Sequence, residues 1–156
     1  MTKFAAQTSV SPEKSRAEIE EILRRYGASH YGYMSGPDSS AIAFQAGGRR
    51  LRFTLPMPLL KDFKSYTRKG SSWATQRTEN QQREAYEQAI RQRWRALALV
   101  IKAKLESVET GVATFDEEFM ANIVLPSGQT MAEYALPQIA QAYETGSMPP
   151  LLGYTQ

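Results

Sequence analysis

The stretch REAYEQAIRQRWRALALVIKAKLESVETG, residues 83–111, decides the fold because no other part of the chain sustains one periodicity for so long. Its apolar residues recur at spacings of three and four, which places them on one stripe of an α-helix. The stripe consists of Tyr86, Ile90, Trp94, Leu97, Ala98, Ile101, Leu105 and Val108. The sequence therefore predicts a long core helix from Arg83 to Thr110, with Thr78 or Asn80 as its N-cap and Gly111 at its end.

A short amphipathic helix and three strands are predicted before this core helix. The helix runs from Pro12 or Ser15 to Tyr26, because Ser15 and Glu18 have the spacing of a capping box. From residue 29 the periodicity falls to two, which indicates strands over 29–35, 41–45 and 49–55. A glycine pair, Gly47-Gly48, favours a two-residue hairpin turn between the last two strands.

Two more capping boxes follow the core helix, at Thr114 and Thr130. The second opens a helix that Pro137 should kink or break and that Gly146 should cap. The predicted class is α+β: a three-stranded antiparallel sheet packed on a long core helix, in the order α-β-β-β-α-α-α. We expect a single domain over residues 1–156, with a flexible arm at 1–12, a long basic-aromatic loop at 59–80 and an extended tail at 146–156.

Composition excludes several kinds of chemistry. The chain has no cysteine and one histidine, which excludes disulfides and thiolate zinc sites and disfavours a histidine-based metal site. We identify no catalytic residue and expect neither enzymatic activity nor a cofactor. The N-terminus lacks the apolar segment of a secretory signal, and no apolar run is long enough to span a bilayer. We therefore expect a cytoplasmic protein that does not enter the membrane.

Charge is distributed unevenly along the chain. Residues 1–46 are neutral overall, residues 47–104 have fourteen Lys and Arg against four Asp and Glu, and residues 105–156 have seven acids and no Lys or Arg. The middle block, with a net charge of +10, has the character of a binding surface for an anionic partner. The basic block and the acidic third could equally attract each other within one fold, and the sequence leaves both interpretations open.

Aromatic residues lie among the cations of the predicted loop. Such a mixture is typical of proteins that bind single-stranded nucleic acid, where aromatic rings stack on bases and cations neutralise phosphates. The candidate nucleic-acid-binding residues of the loop, the third strand and the core helix are Arg49, Arg50, Arg52, Lys61, Lys64, Tyr66, Arg68, Lys69, Trp73, Arg77, Arg91 and Arg95. We expect the arginines of the strand and the helix to line one continuous positive face.

A nuclease is an alternative. Pro37-Asp38 followed by Asp62-Phe63-Lys64 resembles a nuclease motif in which two carboxylates hold a divalent metal beside a lysine. The second half of that motif belongs on the third strand, whereas Asp62 follows the prolines that end it. A structural turn at Pro37-Asp38 is the simpler interpretation.

Five segments together resemble a family of small uncharacterised proteins encoded by tailed phages, prophages and other mobile elements. They are RAEIEEILRRYGA, AIAFQAGGRRLRFTLPMP, RQRWRALALVIKAKLESVETG, FDEEFMANIVLPSGQT and ETGSMPPLL. The resemblance implies a role in phage biology in the cytoplasm of a bacterial host and brings no catalytic residues with it. Two functions follow: binding of phage or host nucleic acid, DNA or RNA, or anti-defence inhibition of a host protein, as anti-CRISPR-like proteins do. The sequence also allows the protein to form a homo-oligomer.

Overall fold

The chain passes from helix to sheet to helix in a computed structural model that describes residues 5–148. The helices are α1 (Pro12–Arg25), α2 (Glu79–Glu109), α3 (Phe115–Phe119) and α4 (Met131–Thr145). The strands are β1 (Ser29–Ser35), β2 (Ser39–Ala46), β3 (Arg49–Pro56), β4 (Ser65–Thr67) and β5 (Ala74–Gln76). Short 3-10 helices cover Leu60–Phe63 and Met120–Asn122. The α+β class is confirmed.

Strands β1, β2 and β3 form an antiparallel sheet with β2 in the centre. Ile42 of β2 pairs with Tyr33 on one side and with Phe53 on the other. Between β2 and β3 the chain turns at Gly47 and Gly48, whose φ angles are 56° and 73°. A two-residue hairpin turn with both φ angles positive requires residues of this kind. The predicted sheet and its glycine turn are therefore confirmed.

Helix α2 forms the centre of the hydrophobic core. The middle of its apolar stripe, from Trp94 to Leu105, is buried as predicted, and Trp94 is only 3% exposed. Tyr86, Ile90 and Val108 at the two ends of the stripe are half-buried. The stripe packs with one face of the sheet and with α1, and the shared core includes Ile19, Leu23, Phe44, Leu51, Phe53, Phe119, Leu97, Ala98, Ile101 and Leu105. Full burial of one such large side chain stabilises the fold by roughly 1.5–3 kcal/mol. The buried core therefore holds α2 and β3 in fixed positions, together with the side chains that they expose to solvent.

Helix α1 begins at Pro12, one of its two predicted starts, whereas the predicted capping box at Ser15 is wrong. The helix begins after Ser11, whose hydroxyl accepts a first-turn backbone N–H at 3.2 Å, and Pro12 occupies the first helical position. Proline suits that position because its φ is preset and its missing N–H would have no helical partner. Ser15 lies within the helix and is buried, and Glu18 forms an ion pair with Arg95 instead of closing a capping box.

Helix α2 begins at Glu79, earlier than the predicted Arg83. Thr78 is the N-cap, one of the two residues proposed for that role, and it forms a reciprocal capping box with Gln81. The first turn of α2 carries no apolar stripe, so the periodicity alone could not locate it. The extra turn brings α2 beside the segment that was predicted as a loop.

That segment, residues 59–80, contains regular structure. After the 3-10 helix at Leu60–Phe63, strands β4 and β5 form a two-stranded antiparallel ribbon. Each of these strands has only three residues, which is too short for an alternating pattern to be recognised. The basic-aromatic segment is therefore built on a backbone ladder.

The acidic third folds largely as predicted. Thr114 and Thr130 both form the expected capping boxes. Helix α4 contains Pro137 and continues to Thr145, so the proline does not end it. Gly146 ends it with a left-handed conformation, φ 66°.

The ends of the chain bear on two further predictions. Within the predicted N-terminal arm, the carbonyls of Ala6 and Thr8 both accept hydrogen bonds from the Gln88 amide on α2, at 3.2 and 3.0 Å. The predicted extended tail lies outside the described residues from position 149 onward.

Candidate nucleic-acid interface

The ribbon ladder extends by one residue pair beyond β4 and β5. Tyr66 pairs with Thr75, and the backbone N–H of Arg77 donates to the Lys64 carbonyl at 2.8 Å. Because side chains alternate between the two faces of a strand, every second residue of each strand shares a face. We call the ribbon face the surface made by Lys64, Tyr66, Thr75 and Arg77 of this ladder together with Arg68 and Trp73 of the turn beyond its outer end.

A stacked pair forms the inner end of the ribbon face. The Arg77 guanidinium lies 4.7 Å from the centroid of the Tyr66 ring, within the range of a cation–π contact. One of its terminal nitrogens donates to the carbonyls of Phe63 and Ser65, at 3.2 and 2.9 Å. These bonds hold the guanidinium in place and leave a planar, positively charged wall.

Trp73 forms the outer end of the ribbon face. It is 81% exposed, and its backbone N–H donates to the Ser71 hydroxyl at 3.2 Å. Tryptophan is highly buried on average, so an indole this exposed contributes almost nothing to the core. The next cations along the turn, Arg68 and Lys69, are exposed as well. An open ring among cations is suited to stacking on a base.

Four cations of this region are exposed and unpaired. Lys61, Lys64, Arg68 and Lys69 form no ion pair with a carboxylate among residues 5–148. Their charges therefore face solvent within a single segment of the chain.

Three other cations of the basic block bind the acidic third. The ion pairs between these two regions are Arg49 with Asp116 at 3.0 Å, Arg52 with Glu133 at 2.6 Å and Lys104 with Glu118 at 3.1 Å. Arg52 also donates to the carbonyl of Gly128 at 3.0 Å. The internal attraction that the charge pattern allowed is thus realised for these residues.

The predicted helix cations are likewise engaged. Arg95 forms an ion pair with Glu18 of α1. Arg91 donates two hydrogen bonds to the Gln88 side chain, at 3.0 and 2.8 Å. Arg50 of β3 is exposed. The cations predicted as one face are therefore divided between internal partners and solvent.

The ion pairs also change the acidity of their carboxyl groups. The hydrogen bond from Lys104 lowers the pKa of Glu118 below its usual value of 4.5. At Glu133 the pKa is lowered first by the backbone N–H of Thr130 and then by the Arg52 guanidinium. Both carboxylates stay charged to lower pH than an isolated glutamate, which keeps the acidic third attached to β3 and α2.

A groove that the sequence reasoning missed lies between the ribbon and the first half of α2. Its volume is about 550 Å³, and its lining residues are Tyr66, Arg77, Gln81, Glu84, Ala85, Gln88 and Arg91. The α2 residues recur at spacings of three and four, so a helical wheel would have shown them on one face. They were overlooked because the helix was predicted to start at Arg83 and the ribbon was predicted as a loop.

Helix α4 carries an exposed apolar stripe. Leu136, Ile139 and Tyr143 lie at spacings of three and four, and Tyr143 is 88% exposed. Only Ala135 of this helix is buried. The acidic third therefore presents an apolar surface as well as its carboxylates.

The residues of the nuclease alternative lie in separate elements. Asp38 belongs to the turn between β1 and β2, whereas Asp62 belongs to the 3-10 helix, where its carboxylate accepts the Leu59 N–H at 3.4 Å. Residues 5–148 contain no group of three or more His, Asp or Glu that could hold a metal ion. Nor does any helix in this range have the length and apolarity needed to cross a membrane.

No protein-family model matches the chain, and neither a curated protein nor a solved structure matches it. The resemblance to phage-encoded proteins stays a prediction.

Proposed function

We propose that this is a phage or mobile-element protein that binds single-stranded DNA or RNA in a bacterial host through the ribbon face and the cations beside it. The observation that carries the proposal is the sorting of the cations. Arg49, Arg52 and Lys104 pair with carboxylates of the acidic third, whereas Lys61, Lys64, Arg68 and Lys69 have no carboxylate partner among residues 5–148. Unneutralised cations are the groups that release counterions when they bind phosphates.

The aromatic residues explain why a single strand is favoured over a duplex. Bases of a single strand are free to stack on exposed rings, whereas those of a duplex are stacked on each other. Trp73 and the Tyr66–Arg77 pair offer two stacking surfaces on one ribbon face.

A mobility-shift panel tests the proposal. Single- and double-stranded DNA and RNA of one length are titrated at two salt concentrations, and single strands are expected to shift at lower protein concentration. Trp73→Ala should weaken single-strand binding by about 1–3 kcal/mol without changing its salt dependence, because stacking releases no ions. Tyr143→Ala is the matched control, since it removes an aromatic ring of similar exposure from α4. Absence of any shift at low salt would refute the proposal.

A second function, anti-defence inhibition of a host protein, is favoured by the exposed stripe of α4. Leu136, Ile139 and Tyr143 form the kind of apolar helix face that docks into a groove of a partner. In the form of DNA mimicry this function is less favoured, because Asp116, Glu118 and Glu133 are neutralised by internal cations.

Phage plating on a defended host separates the two functions. If the protein inhibits a host factor through α4, its expression should restore plating. Leu136→Glu should abolish this effect and Trp73→Ala should preserve it. The opposite pattern, with loss only in the Trp73 variant, would contradict inhibition through α4.

A further inference from the structure

The two edges of the three-stranded sheet differ in how the chain covers them. On the β3 edge, the Arg50 carbonyl accepts the Val124 N–H at 2.8 Å and the Arg52 carbonyl accepts the Asn122 side-chain amide at 3.3 Å. On the β1 edge, the backbone N–H and carbonyl groups of residues 31–35 have no partner outside the β1–β2 ladder in the described part of the chain. An uncovered edge strand is a template for pairing with another strand.

The pairing of β1 with β2 fixes which backbone groups point outward. At the turn end of the ladder the Gly36 N–H donates to the Ser39 carbonyl at 2.8 Å, which makes these two residues a hydrogen-bonded pair. Along an antiparallel ladder such pairs alternate with pairs that exchange no bonds. Met34 is then hydrogen-bonded to β2, whereas Tyr33 and Ser35 turn their N–H and carbonyl groups away from it. The free edge therefore offers donors and acceptors on both sides of Met34.

The edge strand lacks the features that normally keep edges apart. Natural edge strands are commonly blocked by lysine, by proline or by a bulge. Strand β1 contains no lysine or proline, and residues 26–37 contain no Lys, Arg, Asp or Glu. The irregularity of β1 lies between Ser29 and Gly32, so the half from Gly32 to Ser35 stays regular. The side chain of Met34 in this half is 54% exposed.

A second copy of the chain is complementary to this edge. Around a two-fold axis at Met34, an antiparallel β1 places Tyr33 of each copy opposite Ser35 of the other, where the outward groups exchange both backbone bonds. Met34 then faces its own copy as a close pair, which buries two exposed apolar side chains against each other. The charges that act on Tyr33 at this edge, Arg16 and Glu20 of α1, are of opposite sign. Self-pairing therefore brings no surplus of like charge together.

We propose that the protein forms a two-fold symmetric homodimer through the β1 edge, centred on Met34. The two three-stranded sheets join into one sheet of six strands, which is an ordinary size for a sheet. The β1 edge shares no residue with the ribbon face, so dimer formation does not depend on nucleic-acid binding. Each dimer presents two copies of the ribbon face.

Sedimentation equilibrium over micromolar to millimolar protein concentrations tests the dimer. We expect the wild-type protein to approach twice the chain mass of 17.5 kDa as the concentration rises. Met34→Lys should raise the dimer dissociation constant by about tenfold or more, because it places like charges opposite each other across the axis. Met120→Lys is the matched control and should leave the constant unchanged, since Met120 is 51% exposed and belongs to a different element. Circular dichroism checks that both variants are folded.

The variant Met34→Cys tests the register, because the wild-type chain has no cysteine. In a non-hydrogen-bonded antiparallel pair the two Cα atoms lie about 4.5 Å apart, within the range that a disulfide spans. Air oxidation should therefore join two copies of this variant, visible as a doubled mass on a non-reducing gel. The matched variant Met120→Cys should stay at the mass of one chain under the same conditions.

Three outcomes would overturn the dimer at the β1 edge. A wild-type protein that stays monomeric at millimolar concentration would do so and would leave the edge to an extended segment of a different protein. A dimer that is equally tight in the wild-type protein and in Met34→Lys would place the interface elsewhere, such as the apolar stripe of α4. Equal cross-linking of the two cysteine variants would rule out the register centred on Met34.

Discussion

Neutralising two ribbon cations should change the salt dependence of binding by a predictable amount. Arg68 and Lys69 lie at the tip of the ribbon, are exposed and have no carboxylate partner in the range 5–148. For single strands, each neutralised phosphate contributes about 0.7 to the slope of log K against log salt. Four unpaired cations in contact with phosphates would give a slope of about −2.8, and the double change Arg68→Ala with Lys69→Ala should reduce its magnitude by about 1.4.

The assay is a titration of a labelled thymine strand at several salt concentrations, which yields the slope directly. The double change of Arg49 and Arg52 to Ala is the matched control, because it also removes two cations from the basic block. Those two side chains already pair with Asp116 and Glu133, so they release little counterion and the slope should stay nearly unchanged. Equal losses of slope in the two double variants would refute the division into paired and unpaired cations.

Three further predictions concern the scaffold. Phe119→Ala should lower the free energy of unfolding, measured with urea, by about 3–5 kcal/mol, because the side chain is fully buried. A decrease below about 1 kcal/mol would contradict its place in the core. Glu118→Gln should lower the free energy of unfolding at neutral pH, because it removes the ion pair with Lys104. That ion pair lowers the pKa of Glu118, so its stabilising effect is lost when Glu118 is protonated, and the difference from wild type should shrink as pH falls below 4.5. Unfolding curves with a constant difference between pH 7 and pH 3 would contradict this linkage. Gly47→Ala should lower the melting temperature more than Gly48→Ala. Both glycines have positive φ, but only at Gly47 would a Cβ lie 2.8 Å from an aromatic ring. Equal shifts in melting temperature would argue against that contact.

The central fold could be predicted from the sequence because its signals are local and repeated. The stripe through Trp94 and Ile101 spans several helical turns, and the glycine pair at the β2–β3 turn has few other structural uses. Capping boxes were less reliable. The same spacing was correct at Thr114 and Thr130 but wrong at Ser15, where Ser11 followed by Pro12 provides a better start.

Only part of the candidate site could be predicted from the sequence. The sequence identified the residue types of the ribbon, but each of its strands has three residues and the ladder that aligns Tyr66 with Arg77 leaves no periodic trace. Which cations are neutralised also depends on distant partners. Arg52 meets Glu133 because the segment before α4 is hydrogen-bonded to β3, with the Val124 N–H donating to the Arg50 carbonyl, and nothing near either residue in the chain indicates that contact.

Tryptophan fluorescence offers the most direct test of single-strand binding by the ribbon face. The chain has two tryptophans, Trp73 at 81% exposure and Trp94 at 3%, so a bound base has access only to the first. Titration with a thymine strand at low salt should quench the solvent-exposed emission of the wild-type protein, whereas Trp73→Phe, which keeps an aromatic ring, should show no quenching and should still bind. Unchanged emission from the wild-type protein while anisotropy reports a saturated complex would contradict stacking on Trp73, and with it the proposed interface.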